Sequence, residues 1–591
     1  MEGRRQLGSA RRSPGERELS ALRRWVAGTA LLCGSMHLRA QPAAPRSPTE
    51  AQLQQLAAGR KWSEIVALVE PVSSRSAAVD YYLGIAQAQL GRLDQAKSAL
   101  EAGRNLAPAD PRFPIELAGI AFKRKNHPLA IRLLREALRL VPGDAYANDF
   151  LATLYFLDGN LQAALKYWNR IGKPQISIVR TEPVPRVSPA LLDQAFAFSP
   201  AATLTLPQLL NSEARLRGLG IFPQFHFDLN ARADGNFEVV FRGSELDGFG
   251  DSKLESLILL FQGLPFQEVN PGYYNLHRQA INLTSMFRWD AQKRRVSADF
   301  SGPFEGSAKI RWLVGTDLRN ENWAIRNSFT GYAPVLASFN LRDEKLAFDL
   351  ASHASERLNW SAGAEISHRN FRSVDSGTAP APAAGPLLTP QMLAAGYGLR
   401  QQAQITTDLW RIPERRLNVS AAAASDAGRL WSPSSEVFEK LTGSVGWHWF
   451  PQSKGDDYET SQQFRAGYTF GQVPFDELFI LGLERDNDLP LRAHIGTRDG
   501  RKGSAPLGRN YLLENWEANK NLYSNEIFKV QLGPVFDIGK ITDPGTALGS
   551  RQWLFDTGAQ AKLRVFGVGL VFSYGRDLRT GNNAFYVSQL E

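Results

Sequence analysis

Apolar and polar positions follow two different periods along the chain. From residue 250 onward, short segments alternate with period two: Phe464, Ala466, Tyr468 and Phe470 share one face while Arg465 takes the other. Phe528, Val530 and Leu532 alternate with Lys529 and Gln531, and Phe566, Val568, Leu570, Phe572 and Tyr574 with Gly567, Gly569 and Ser573. Leu441 to Trp449 reads the same way, with His448 on the polar side. Such alternation predicts half-buried β-strands. Before residue 175 small residues recur every 34 positions, at Ala96, Ala130 and Ala164. Leu83, Leu117 and Leu151 keep that register, as do Leu100, Leu134 and Trp168. A period of this length predicts stacked helix pairs, with the small residue where two helices touch. Residues 51–175 therefore read as an α-solenoid. Pro108 and Pro142 close its first two units, and Ala57 to Pro71 forms a degenerate capping half-repeat.

The stretch between these regions has neither period throughout. Pro174, Pro183, Pro185 and Pro189 predict a Pro-rich linker over 176–195. Leu204 to Leu219 is compatible with a helix closing at Gly220, and Ile221 to Leu229 and Phe237 to Arg242 read as strands around the turn Asn230 to Gly235. The segment 196–243 is thus a small α/β module.

A soluble sandwich and a membrane barrel both produce alternation, because each buries one face of every strand. Three features favour the barrel over 250–591. Trp25 to Met36 is a short apolar stretch between Arg23-Arg24 and Leu38-Arg39-Ala40, which predicts a secretory signal peptide over 1–40. Aromatic residues fall near strand ends, and roughly 14 to 16 candidate strands follow one another without a helix. Ring closure would satisfy every backbone group in lipid. A mean hydropathy of -0.28 excludes a helical membrane protein but leaves a barrel open. The single cysteine, Cys33, lies in the leader, so no disulfide is expected. The bulky Leu32 before it disfavours a lipoprotein signal.

The formal charge of +9 does not point to nucleic acid, since the densest basic run, Arg4 to Arg24, belongs to the leader. His353, His368, His448 and His494 lack metal-ligand spacing, and there is no Gly-x-Ser-x-Gly elbow or phosphate loop. No catalytic residue, metal or cofactor is expected, and the chain reads as a non-enzyme.

Family resemblances refine this picture. Leu83-Gly84 and Gly91-Arg92-Leu93-Asp94-Gln95-Ala96 resemble the tetratricopeptide repeat. Leu216 to Phe222 with its following hairpin resembles the end of a POTRA module. Gly471-Gln472-Val473-Pro474-Phe475-Asp476-Glu477-Leu478-Phe479-Ile480-Leu481-Gly482 resembles a strand of the bacterial surface antigen superfamily, which includes outer-membrane assembly and two-partner-secretion proteins. In that family the strand leads into a long loop with a Val-Arg-Gly-aromatic motif. Here the loop offers Leu491-Arg492-Ala493-His494, departing at Ala493 and His494. Asn515-Trp516-Glu517 and Phe536-Asp537-Ile538-Gly539 resemble the family's two acidic strands, and Ser573 to Leu578 its penultimate strand. The resemblance covers about residues 200–591 and implies one POTRA-like module followed by a transmembrane barrel of about 16 antiparallel strands.

In that family the loop arginine is anchored inside the barrel, and residue parity agrees. With Leu512, Trp516 and Ala518 outward, Asn515, Glu517 and Asn519 turn into the lumen and Glu514 faces the lipid near the rim. With Phe528, Val530 and Leu532 outward, Asp537 is luminal. A loop lock of Arg492, Glu517 and Asp537 is expected through charge-assisted hydrogen bonds. The last segment, Asn583 to Glu591, should close the ring against a strand near Leu254, although it lacks a terminal aromatic residue.

The leading expectation is an outer-membrane barrel that inserts or translocates polypeptides. Its periplasmic repeat arm would bind clients or envelope partners, and its barrel would contact outer-membrane lipid. The alternative is a porin-like or anchoring protein whose arm scaffolds envelope complexes.

Overall fold

The computed structural model describes residues 48–250, 257, 260, 263–326, 334–378, 385–432, 436–452, 455–524, 528–542, 552–565 and 568–590. The expected signal peptide with Cys33, the expected strand near Leu254, and Phe566 and Gly567 lie outside the described residues. The chain divides into two compact units: residues up to Ser177 with Thr203–Thr205 and Asn230–Glu238, and the remainder.

The first unit is built from consecutive helix pairs: α1 Glu50–Ala58 with α2 Trp62–Val69, α3 Ala77–Gln89 with α4 Leu93–Leu106, α5 Arg112–Lys123 with α6 His127–Leu140, and α7 Ala145–Leu157 with α8 Leu161–Trp168. Short polar side chains start five of these helices. Thr49, Ser76, Asn126, Asp144 and Asn160 each accept from a backbone amide of the first turn, satisfying donors that have no partner inside the helix. Ala96, Ala130 and Ala164 are completely buried. The start of the stack differs from the expected half-repeat, because Glu50–Ala58 supplies a full partner for Trp62–Val69. Leu53, Ile65, Val66 and Val69 pack on Val79, Tyr82, Leu83 and Ala86 of the next pair. The 34-residue register of small residues does not extend to this pair, so its first helix was invisible to spacing alone. Ala130→Leu should destabilise the unit by about 1–3 kcal/mol, since a buried crossing point has no room for three further carbons. A circular dichroism melt unchanged by this substitution would remove Ala130 from the helix contact.

The segment expected to be a linker over 176–195 holds regular structure instead. Ile176–Glu182 forms β1 and Pro189–Ala195 forms α9. The prolines flank these elements: Pro183 follows the strand, and Pro189 occupies the first turn of the helix, where a missing N–H is tolerated. Helix α10 spans Leu206–Leu219, and β2 Gln224–Ala231 and β3 Phe237–Ser244 complete a sheet of order β1-β3-β2. Phe196, Phe222 and Phe227 pack on the fully buried Phe241, with ring centroids 5.7, 5.3 and 5.6 Å away.

The rest of the second unit is an antiparallel sheet closed into a barrel. Its staves run from β4 Glu268–Val269 and β5 Gly272–Leu276 through β6 Ile281–Trp289, β7 Lys293–Phe304, β8 Ser307–Arg326, β9 Val335–Ser352 and β10 Leu358–Asp375. They continue as β11 Gly396–Ile412, β12 Leu417–Trp431, β13 Glu436–Trp449 and β14 Tyr458–Gly471. Beyond the loop 472–509 come β19 Asn510–Ser524, β20 Phe528–Thr542, β21 Leu554–Val565, β22 Val568–Asp577 and β23 Asn583–Leu590. The loop itself carries four dipeptide pieces, β15 Phe479–Ile480, β16 Thr497–Arg498, β17 Arg501–Lys502 and β18 Leu507–Gly508. Both β4 and β5 pair with β6. Closure joins β23 to β4 at Glu268–Val269.

The barrel inverts the usual distribution of side chains. Leu318, Leu346, Phe348, Ile366, Phe464, Leu512, Leu532 and Phe585 are exposed on its outside, whereas Arg288, Lys293, Arg369, Asp537 and Asp556 are buried inside. No helix among the described residues is long and apolar enough to cross a membrane.

Candidate functional site

The site is built by the loop 472–509, which turns into the ring and is held on the wall by three clusters of charged side chains and by Lys502 of β17, 3.0 Å from Glu321 on β8. At its tip, the Arg492 guanidinium pairs with both Asp537 on β20 and Glu517 on β19. The Arg492 backbone amide donates to Asp537 Oδ2 at 2.9 Å. Arg492 is 5% exposed and Asp537 fully buried, so each charge depends on the other. Strand parity produces this meeting: Leu512 and Leu532 face outward and are exposed, which turns Asn515, Glu517 and Asp537 inward. Asn515 adds bonds to Asp537 Oδ1 at 2.7 Å and to the Pro490 carbonyl at 2.8 Å. Glu517 also receives Gln560 at 2.6 Å and Lys562 at 2.7 Å. Glu514, on the outer face, accepts from Gln462.

Ala493 and His494, which follow Arg492, find partners of their own. Ala493 donates its amide to Asp556 Oδ2 at 2.6 Å, and His494 Nδ1 lies 3.1 Å from the same oxygen. His494 Nε2 is 3.9 Å from Asp577. The wall approaches the loop backbone so closely here that only glycine fits at 575. A Cβ there would lie 2.2 Å from the Arg492 carbonyl oxygen and 2.7 Å from the Ala493 nitrogen.

The other two anchors reverse the polarity, with acids on the loop and cations on the wall. Asp486 takes Arg288 at 3.0 Å and Arg295 at 2.6 Å, and Glu484 takes Lys293 at 2.7 Å. At the opposite flank, Glu477 meets Arg400, with Arg369 at 3.3 Å and Lys440 at 3.4 Å. Apolar contacts fill the gaps: Phe475, Leu478 and Leu507 join Trp323, Ile325 and Phe339. Leu481 and Leu491 join Leu513, Ile541 and Leu554. A luminal cavity of about 330 Å³ remains beside the tip, lined in part by Ser444, His448, Arg465, Arg492 and Glu517.

Arg492, Glu517 and Asp537 thus lie together, while Ala96, Ala130 and Ala164 lie in the helical unit. Sequence reasoning did not reach Asp556, Asp577, Glu477, Glu484 or Asp486. For Asp577 a signal existed, because parity with Tyr574 outward places it inside. Which wall cation each loop acid meets depends on staves far apart in sequence, and no local pattern carries that information.

Helix α10 meets the barrel at the turn between β9 and β10. Arg217 pairs with Glu356 at 2.8 Å, and the Asn211 side chain accepts from the Glu356 amide at 3.2 Å. Arg311 donates to the Leu219 carbonyl at 2.8 Å. Burial pushes the Glu213 carboxyl on this helix up to about 6, with Arg217 opposing and Glu356 adding to the shift. The folded state therefore holds this proton to higher pH than the unfolded chain does. The stability this group contributes is greatest below about pH 4.5, falls as pH rises towards about 6, and stays at the lower level above. Glu213→Gln should stabilise the helix by about 1–2 kcal/mol at pH 7.5 and flatten that pH dependence. Hydrogen exchange across Leu206–Leu219 at pH 5 and 7.5 checks this; equal protection in the wild type at both values would contradict it.

No protein-family model matches the chain, nor does any curated protein sequence. Among solved structures, the chain is similar to BamA from Haemophilus ducreyi lacking POTRA domains 1–3, at 11% identity and TM-score 0.39, over 70% of this chain and 83% of that one. It is similar to CdiB from Escherichia coli at 12% identity and TM-score 0.42, over 70% and 76%. MamA is similar over 20% of this chain and 75% of its own, at 20% identity and TM-score 0.19.

Proposed function

We propose that this protein is an outer-membrane barrel that inserts or translocates polypeptides, with the helical unit acting as a periplasmic arm for clients or partners and the module 176–244 as a POTRA-like adaptor. The observation that carries the reading is the loop itself. It fills a polar lumen, yet apart from one short pairing of β17 with β8 it is held there by side-chain ion pairs and apolar contacts. Such contacts are exchangeable, and a chain entering the lumen can take over the charged partners one by one. The outward apolar surface supports lipid as the surrounding medium, because exposed leucines and phenylalanines around a closed ring would otherwise face water. On this reading the barrel performs no bond chemistry and takes neither a metal nor a cofactor.

Site-specific photocrosslinking in intact envelopes tests the proposal. A crosslinker at Ser444 or His448, beside the luminal cavity, should capture envelope polypeptides during their synthesis and lose them when export is blocked. A probe that captures none, together with steady ion-selective conductance of the purified barrel in planar bilayers, would replace this reading with the passive-pore or scaffolding alternative.

A further inference from the structure

The 34-residue register places Tyr82, Glu116 and Phe150 at one equivalent position of three successive helix pairs, so a carboxylate stands where its neighbours carry rings. A departure from a repeat's own pattern at one position is where function is to be sought. Glu116 lies on α5, only partly accessible, and forms no hydrogen bond or ion pair among the described residues. The nearby cations have other hydrogen-bond partners. Arg112 is bidentate on Asp110, through Nε to Oδ1 at 3.1 Å and Nη2 to Oδ2 at 2.7 Å, and its guanidinium lies 4.8 Å above the Tyr81 ring. Lys123 donates to the Ala88 carbonyl at 3.2 Å.

Rings stand on α3 and α7, the helices to either side of α5 in the repeat. Tyr81 contacts Tyr82 and Phe113 edge-on, with centroids 5.4 and 5.8 Å away. On the other side Phe150 contacts Phe122 and Tyr146 at 5.6 and 6.0 Å, and Tyr146 is 60% exposed. Burial raises the Glu116 carboxyl against the opposing charge of Lys123, and the Tyr81 phenol is raised by burial first and then by the charge of Glu116. A carboxylate beside aromatic rings that makes no ion pair among the described residues, with Lys123 acting on it only through its field, can accept a further cation. Ring faces and carboxylate both attract positive charge, and a Lys or Arg side chain also brings a methylene stem that packs on the rings.

We infer that Glu116, with Tyr81 and Tyr146, forms a binding site for a lysine or arginine side chain of a polypeptide lying across α3, α5 and α7. This deepens the proposed function by naming what the arm recognises, and it rests on that reading only in treating the polypeptide as a client. The recognised segment is cationic, and the aromatic flanks favour an apolar neighbour beside the charge.

The test uses the full-length protein in detergent and two fluorescent peptides of alanine and leucine, one with a single central lysine and the other with norleucine there. Fluorescence anisotropy should show the lysine peptide binding about tenfold or more tightly than the norleucine peptide, the scale of one buried charge-assisted contact. Glu116→Gln, which preserves shape, should erase that preference, and Tyr146→Ala should weaken the lysine peptide several-fold. Glu101→Gln, on the exposed face of α4, should change nothing. Equal binding of the two peptides, or a preference that survives Glu116→Gln with an unchanged helical spectrum, would overturn the site. Failure of luminal crosslinking leaves this measurement unaffected, so the two readings fail separately.

Discussion

Arg492→Ala should release the tip of the loop and lower the stability of the folded barrel by about 3–5 kcal/mol, the usual consequence of removing one partner from a buried pair. The size follows from what is left behind. Asp537 is fully buried, and without the guanidinium its partners among the described residues are Asn515 and the loop amide. Glu517 is better placed, since Lys562 and Gln560 remain on it. Asp537→Ala should therefore be as damaging as Arg492→Ala, and Glu517→Ala less so. The double change Arg492→Ala with Asp537→Ala should be milder than the sum of the single changes, because it removes the stranded charge with its partner. Urea unfolding in lipid vesicles, read by heat-modifiable gel mobility, gives the cycle. Additive effects, or a wild-type-like Arg492→Ala, would mean that the loop is held elsewhere.

A second large effect is expected at the end of the ring remote from α10. There Trp323 and Phe339 stack at 5.4 Å, and Phe475 of the loop stands edge-on to both, at 6.2 and 5.8 Å. Phe475 is 1% exposed, and Leu387 and Leu388 join the same cluster. Phe475→Ala leaves a cavity in a closely packed group and should destabilise it by about 3–5 kcal/mol. On the proposed reading this cluster helps seal the lumen, so the consequence extends beyond stability: single-channel conductance should rise and flicker between levels as the loop loses its apolar hold. Phe475→Leu, which retains most of the volume, should stay near the wild-type level. Conductance unchanged in Phe475→Ala would place the seal at the ion pairs instead. The two substitutions also separate the two kinds of contact, since added salt should aggravate the Arg492 defect more than the Phe475 one.

The sequence by itself determined what depends on local period. Alternation at Leu512 to Asn519 and Phe528 to Leu532 settles which side chains face inward, because a strand turns successive residues to opposite faces whatever its neighbours are. The 34-residue spacing of Ala96, Ala130 and Ala164 likewise implies stacked helix pairs, since only small residues suit that close approach. The resemblance around Arg492 implied two acids as its partners, and parity turns both of them inward. What lay beyond the sequence were pairings between positions far apart in the chain. The prolines of 176–195 looked like interruptions until the fold placed them at the ends of a strand and a helix. Asp486 meets Arg288 and Arg295, and Glu477 meets Arg369 and Arg400, because the loop crosses the ring to staves some 70 to 200 residues earlier in the chain. Period two tells a residue which face it occupies and nothing about which stave lies opposite. Closure at Glu268, the reversed polarity of two anchors and the unpaired state of Glu116 follow from packing in three dimensions, where charge finds its partner by distance rather than by spacing.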